Sequence, residues 1–130
     1  MKNPGAGAEK ILLVEDEPVI TQVCLRVLTS LGYQVDVASN GTIAKDILVE
    51  GDYDLVIIDI RTPIMDGRQL YEHIEERYPA LTNKIIFTTG DVISSEIQHF
   101  LGQSGRPCLL KPFNPEELKA VVKEALSQGR

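Results

Sequence analysis

Tryptophan is absent from this chain of 130 residues, and cysteine and histidine occur only twice each. Cys24 and Cys108 stand singly, with no CxxC pair or Cys/His spacing around them, which excludes a disulfide framework and a thiolate zinc site. No apolar run approaches the roughly 20 residues a membrane-spanning helix needs, and no charged-then-apolar leader opens the sequence. The expectation is a cytoplasmic chain without membrane insertion. A glycine-rich phosphate loop of the P-loop or dinucleotide type is also missing, which argues against a nucleotide ligand. Basic charge is in short supply, with 13 Lys and Arg against 19 Asp and Glu and a net charge of −6. That balance disfavours direct contact with nucleic acid or an anionic membrane and suits a cation or a basic partner.

What the chain does have is apolar residues, 43% of the total, enough at this length to bury the core of one domain. They fall in two alternating patterns. Lys10 to Val14 is a short apolar run expected as a strand. From Pro18, Ile20, Cys24, Val27, Leu28 and Leu31 follow helical spacing up to Gly32. A second strand is expected over Gln34 to Ala38, and a helix capped by Asn40 runs to Gly51. The third strand covers Leu55 to Ile58, with a helix from Asp66 to Tyr78 closed by Pro79. The fourth covers Lys84 to Thr88, with a weaker helix from Ser94 to Gln103. Cys108 to Leu110 is the last strand. Asn114-Pro115-Glu116-Glu117 then opens a helix as an N-cap, a first-position proline and two first-turn acids.

Five strands alternating with five helices imply a parallel sheet with helices on both faces, because right-handed crossovers put them there. Such a sheet binds ligands at the carboxyl ends of its strands. The polar residues fall at those ends: Glu15-Asp16 after the first strand, Asp59 at the third, Thr88-Thr89 at the fourth and Lys111 after the fifth. A carboxylate ending a buried strand needs a compensating cation or network, since its desolvation costs several kcal/mol. Three carboxylates suit a hard divalent ion such as Mg²⁺, which binds through one or two carboxylates and completes its shell with water and phosphate oxygens. An aspartate can then act as nucleophile towards a phosphoryl group while metal, lysine and hydroxyl neutralise the transferring oxygens.

"LLVEDEP", "IIDIRTPIMDG", "FTTG" and "LLKPF", in this order and spacing, resemble the receiver domains of bacterial two-component response regulators. The likeness extends from Lys10 to Leu126. It implies a flavodoxin-like, doubly wound five-stranded parallel sheet of order 2-1-3-4-5 with five helices in three α/β/α layers. It also implies a regulatory phospho-acceptor rather than an enzyme, with Asp59 taking a phosphoryl group from a histidine kinase or histidine phosphotransfer domain. Glu15, Asp16, Asp59 and the backbone carbonyl of Arg61 would hold Mg²⁺, Thr89 would bond the phosphoryl, and Lys111 would pair with it. Lys111-Pro112 would be a cis peptide. Output partners would meet the face made by helix four, strand five and helix five.

Two departures from the family pattern and one possible pair bear on these expectations. Glu15 stands where aspartate is usual, Cys108 stands where a Tyr or Phe switch is common, and Arg61 and Asp91 could pair across the site mouth. With a small thiol at position 108, the activation signal is expected to reach the helix four, strand five and helix five face weakly or to travel through Gly90 to Ser95. An Asp-nucleophile phosphatase would need a second acid two residues after the nucleophile, where Arg61 stands. A phosphorylation-independent interaction module should have lost part of the site, and the chain keeps all of it. His73 and His99 lie within helical segments and are expected at the surface, and Cys24 in the core. Residues 1–9, rich in Gly and Ala, are expected as a flexible segment or linker before a receiver domain over 10–128. The segment from Phe87 to Phe113 resembles receivers at the carboxyl end of hybrid histidine kinases.

Overall fold

The computed structural model describes residues 9–90 and 94–127. Strands β1 (Lys10–Val14), β2 (Gln34–Ala38), β3 (Leu55–Asp59), β4 (Ile85–Thr89) and β5 (Cys108–Leu110) form one parallel sheet of order β2-β1-β3-β4-β5. Helices α1 (Pro18–Ser30), α2 (Gly41–Glu50), α3 (Gly67–Arg77), α4 (Ser95–Ser104) and α5 (Pro115–Ser127) connect or follow them. The central strands β1, β3 and β4 read as unbroken apolar runs because helices cover both faces, and every residue of β3 and β4 is buried. The edge strand β2 alternates exposed and half-buried residues until Ala38.

Side chains alternate across a strand, and this sorts the core into two layers. Leu12, Val56, Ile58, Ile85 and Phe87 face Ala44 and Leu48 of α2, Leu70, Tyr71 and Ile74 of α3, and Phe100 of α4. Ile11, Leu13, Leu55, Ile57 and Ile86 face Cys24, Val27 and Leu28 of α1 and Leu118, Val122, Ala125 and Leu126 of α5. Each fully buried aliphatic or aromatic side chain contributes about 1.5–3 kcal/mol relative to exposure. The first layer also holds an aromatic cluster, with Phe87, Tyr71 and Phe100 ring centroids 5.4–5.6 Å apart.

Local signals set the helix starts. Asn40 Oδ1 accepts from the Ile43 amide at 2.9 Å, and Ser94 Oγ accepts from Ile97 at 3.2 Å. Asp66 with Gln69, and Asn114 with Glu117, form reciprocal capping boxes. Two boundaries differ from the sequence reading. Pro79–Lys84 forms a 3-10 turn after α3, tied by the Leu81 amide to the Tyr78 carbonyl at 2.8 Å, so β4 begins at Ile85 and runs on to Thr89. Asp59 belongs to β3, pairing in register with Thr88. Among the described residues, no helix is long and apolar enough to cross a membrane.

Candidate phosphoryl-acceptor site

The register of the sheet assembles the site. Leu13 and Ile57 face the α1/α5 layer, so two residues further on Glu15 and Asp59 emerge on that same side at adjacent strand ends. Both are buried, at 2% and 3% exposure, in a position where two uncompensated carboxylates would repel. The compensating charge arrives from the far end of the chain. Lys111 Nζ donates to Glu15 Oε2 at 3.2 Å, Glu17 Oε1 at 3.0 Å and Asp59 Oδ2 at 3.1 Å, and its backbone amide donates to the Thr89 carbonyl at 2.8 Å. The second Asp59 oxygen, Oδ1, accepts from the Arg61 amide at 3.0 Å.

The electrostatics follow from this geometry. Burial pushes the Glu15 carboxyl well above the ordinary carboxylate range, the charge of Asp59 pushes it further, and Lys111 opposes both. For Lys111, burial works against the ammonium, but hydrogen bonds from Glu17, Glu15 and Asp59 outweigh it and hold its pKa above the usual lysine value. The ammonium therefore stays charged throughout the physiological range. Glu15, Glu17 and Asp59 present carboxylate oxygens within 4.8 Å of one another. A cluster of hard oxygen donors of this size fits Mg²⁺, and the ammonium already in it shows that the site holds a positive charge.

The loop after Asp59 is fixed by close backbone contacts. The Gly67 amide donates to the Ile60 carbonyl at 3.0 Å, and a Cβ at Gly67 would sit 2.7 Å from Ile60 Cα and 3.0 Å from the Asp59 carbonyl. Glycine is needed here for approach. Thr62 Oγ1 donates to the Met65 carbonyl at 3.0 Å, closing the turn that carries Pro63 and Ile64.

The expected site residues do not all gather equally. Glu15, Asp59 and Lys111 meet directly, Thr89 is buried at the end of β4 and linked to Lys111 through its backbone carbonyl, and the Lys111–Pro112 peptide is cis. Asp16 is exposed and stands outside the carboxylate group, while Glu17, which the sequence reading passed over, lies inside it. The signal for Glu17 was available in "VEDEP": two residues past Glu15, immediately before the proline that starts α1, it reaches back over the strand end. Its amide donates to Glu15 Oε2 at 3.2 Å. Asp91, the proposed partner of Arg61, lies outside the described residues, as do 91–93 of the Gly90 to Ser95 path, residues 1–8 of the N-terminal segment and residue 128. Cys24 is buried, His99 is exposed, and His73 is half-buried against Tyr78 at a ring distance of 6.0 Å.

A doubly wound sheet with an acid cluster and a lysine at its carboxyl edge defines a receiver-type domain. The chain belongs to the response regulator receiver domain family, which it matches over residues 11–123. Similar curated proteins are hybrid sensor kinases and a transcriptional regulator. The sensor kinase CckA of Brucella abortus is 33% identical over 95% of this chain, and the aerobic respiration control sensor ArcB of Escherichia coli is 34% identical over 90%. The chain spans only 13% and 15% of their lengths. The transcriptional regulatory protein TcrA of Mycobacterium tuberculosis is 32% identical over 92% of the chain and 47% of its own length. Among solved structures, a CheY-like receiver from Methanospirillum hungatei superposes with a TM-score of 0.85 at 28% identity, covering 94% of this chain and 96% of its own. The receiver domain of sensor histidine kinase PA1611 from Pseudomonas aeruginosa, with magnesium coordinated in its active-site cleft, gives 0.82 at 29% identity, covering 94% of this chain and all of its own.

Proposed function

We propose that this receiver domain accepts a phosphoryl group on Asp59 from a phosphohistidine of a kinase or phosphotransfer domain, in the cytoplasm, and signals by the change that follows. The carrying observation is the Asp59 carboxylate, buried at the end of β3, with one oxygen on the Arg61 amide and the other on the Lys111 ammonium. An Asp59 oxygen forms the new bond to phosphorus as the bond from phosphorus to the histidine nitrogen breaks, and the electron pair stays on the imidazole. As the donor enters, Lys111 turns from Asp59 to a phosphoryl oxygen, and the Thr89 hydroxyl bonds another. Glu15, Asp16, Asp59 and the Arg61 carbonyl would hold Mg²⁺, with Glu17 within reach of the same position. Bound there, the ion would supply charge neutralisation for the phosphoryl oxygens. The role is regulatory, and Arg61, where a phosphatase of this kind would carry its second acid, fits that reading.

The partner surface begins beside the acids. Val19, 74% exposed, and Val23 follow Pro18 on α1, and with Gln22 and Arg26 they line a shallow groove next to Glu17. An exposed apolar strip on the helix that directly follows Glu17 suits a helical phosphotransfer partner. Acetyl phosphate with Mg²⁺ is expected to add one alkali-labile phosphoryl group to the intact chain, and Asp59→Asn to add none. Undiminished labelling of that variant by intact mass would overturn the assignment.

A further inference from the structure

We propose that Thr88, not only Thr89, is a positioning residue of this site, with its hydroxyl held in reserve for Asp59. This rests on the phosphoryl-acceptor reading above.

Thr88 is paired in register with Asp59 across the parallel β3–β4 ladder. Side chains of register partners in a parallel pair lie on the same face. Ile57 and Ile86 precede them by two residues and pack in the α1/α5 layer, so Asp59 and Thr88 both project to that side. Glu15 projects there from β1, following Leu13. The strand ends thus carry a row Glu15, Asp59, Thr88 on one face, and Thr89 turns to the other.

The second observation is that Thr88 Oγ1 is buried and has no hydrogen-bond partner among the described residues, in a residue only 2% exposed. A buried hydroxyl without a partner lowers stability, and valine would fill the same volume without that cost. A polar group kept under those conditions serves a state other than the resting one. In the resting state both Asp59 oxygens are occupied, Oδ1 by the Arg61 amide and Oδ2 by Lys111. Lys111 has only three N–H donors, and all three are committed to Glu15, Glu17 and Asp59. When Lys111 turns towards a phosphoryl donor, Asp59 Oδ2 loses its hydrogen bond. The neighbouring donor on that face is the Thr88 hydroxyl. By donating to Asp59 as Lys111 leaves, it keeps the carboxylate plane aimed at the phosphorus.

The test compares wild type, Thr88→Val and Thr88→Ser in autophosphorylation by acetyl phosphate, alongside metal-free thermal melting and Mg²⁺ titration. Thr88→Val is expected to slow the rate at saturating donor by about tenfold, the effect of one hydrogen bond to a charged group. The donor concentration for half-maximal rate and the Mg²⁺ affinity should stay within about twofold. Metal-free Thr88→Val should melt at or above the wild-type temperature, because it loses an unpartnered hydroxyl. Thr88→Ser, which keeps the hydroxyl, should restore most of the rate. A Thr88→Val protein phosphorylated at the wild-type rate would show that the residue only fills the core, and so would a serine variant as slow as the valine one. Wild type that takes no phosphoryl group on Asp59 would instead overturn the acceptor reading, and this inference with it.

Discussion

At the scale of single residues, the three consecutive acids Glu15, Asp16 and Glu17 stand in two different settings. Glu15 and Glu17 are bonded to Lys111, whereas Asp16 is exposed and makes no ion pair among the described residues. An arriving divalent ion must compete with an ammonium for the first two and with water alone for the third. Asp16→Ala is therefore expected to weaken Mg²⁺ binding at least about tenfold, and Glu15→Gln by less. Since the chain has no tryptophan to report the ion, the affinities are best read by calorimetry or amide shifts. A larger loss in Glu15→Gln would reverse the assignment. That Glu15, Asp59 and Lys111 would come together was legible in the sequence because each ends or follows an apolar run, where a charge needs a partner. Sequence reasoning missed Glu17 and gave Thr88 no role, because both depend on which way a side chain turns at a strand end, and that is decided by register.

At the scale of elements, the strands were legible because burial on both faces leaves β1, β3 and β4 almost purely apolar, and the helices because Asn40, Asp66, Ser94 and Asn114 announce their starts. The 3-10 turn at Pro79–Lys84 was not legible: proline marked where α3 stops but not that the chain coils once more before β4. The most consequential element is β5. It has three residues, and Cys108 sits in register beside Phe87. A cysteine is too small to swing between buried and exposed sites as a ring does. The aromatic mass beneath Thr89 belongs instead to Phe87, Tyr71 and Phe100, and Arg68 bonds Glu96 at 3.3 Å while lying over the Phe100 ring. Activation by beryllofluoride and Mg²⁺ is expected to shift amides near Asp59 and Thr89 and along the start of α4, with smaller changes around Cys108. Large, cooperative shifts through β5 and α5 would contradict this.

At the scale of the whole molecule, one lysine balances acids supplied by two other segments of chain. Lys111→Met would leave Glu15 and Asp59 buried without a cation, at a cost of about 3–5 kcal/mol in urea unfolding. Millimolar Mg²⁺ should recover part of the loss by binding only the folded state, so the variant should gain more stability from the ion than wild type does. Equal gains would mean that ion and ammonium do not share the site. The order of these segments along the chain has a further effect, on how the domain comes into being. Strand β1 pairs with both β2 and β3, and all three lie wholly within the first 59 residues, so this half-sheet, with Glu15 beside Asp59, can begin to form before β4, β5 and Lys111 have left the ribosome. Until then the two acids face each other without their cation. Burying that carboxyl edge as it stands in the finished fold therefore waits on the segment that brings Lys111 to both acids. The last of these segments to be made thus carries the ammonium that joins the ends of β1 and β3.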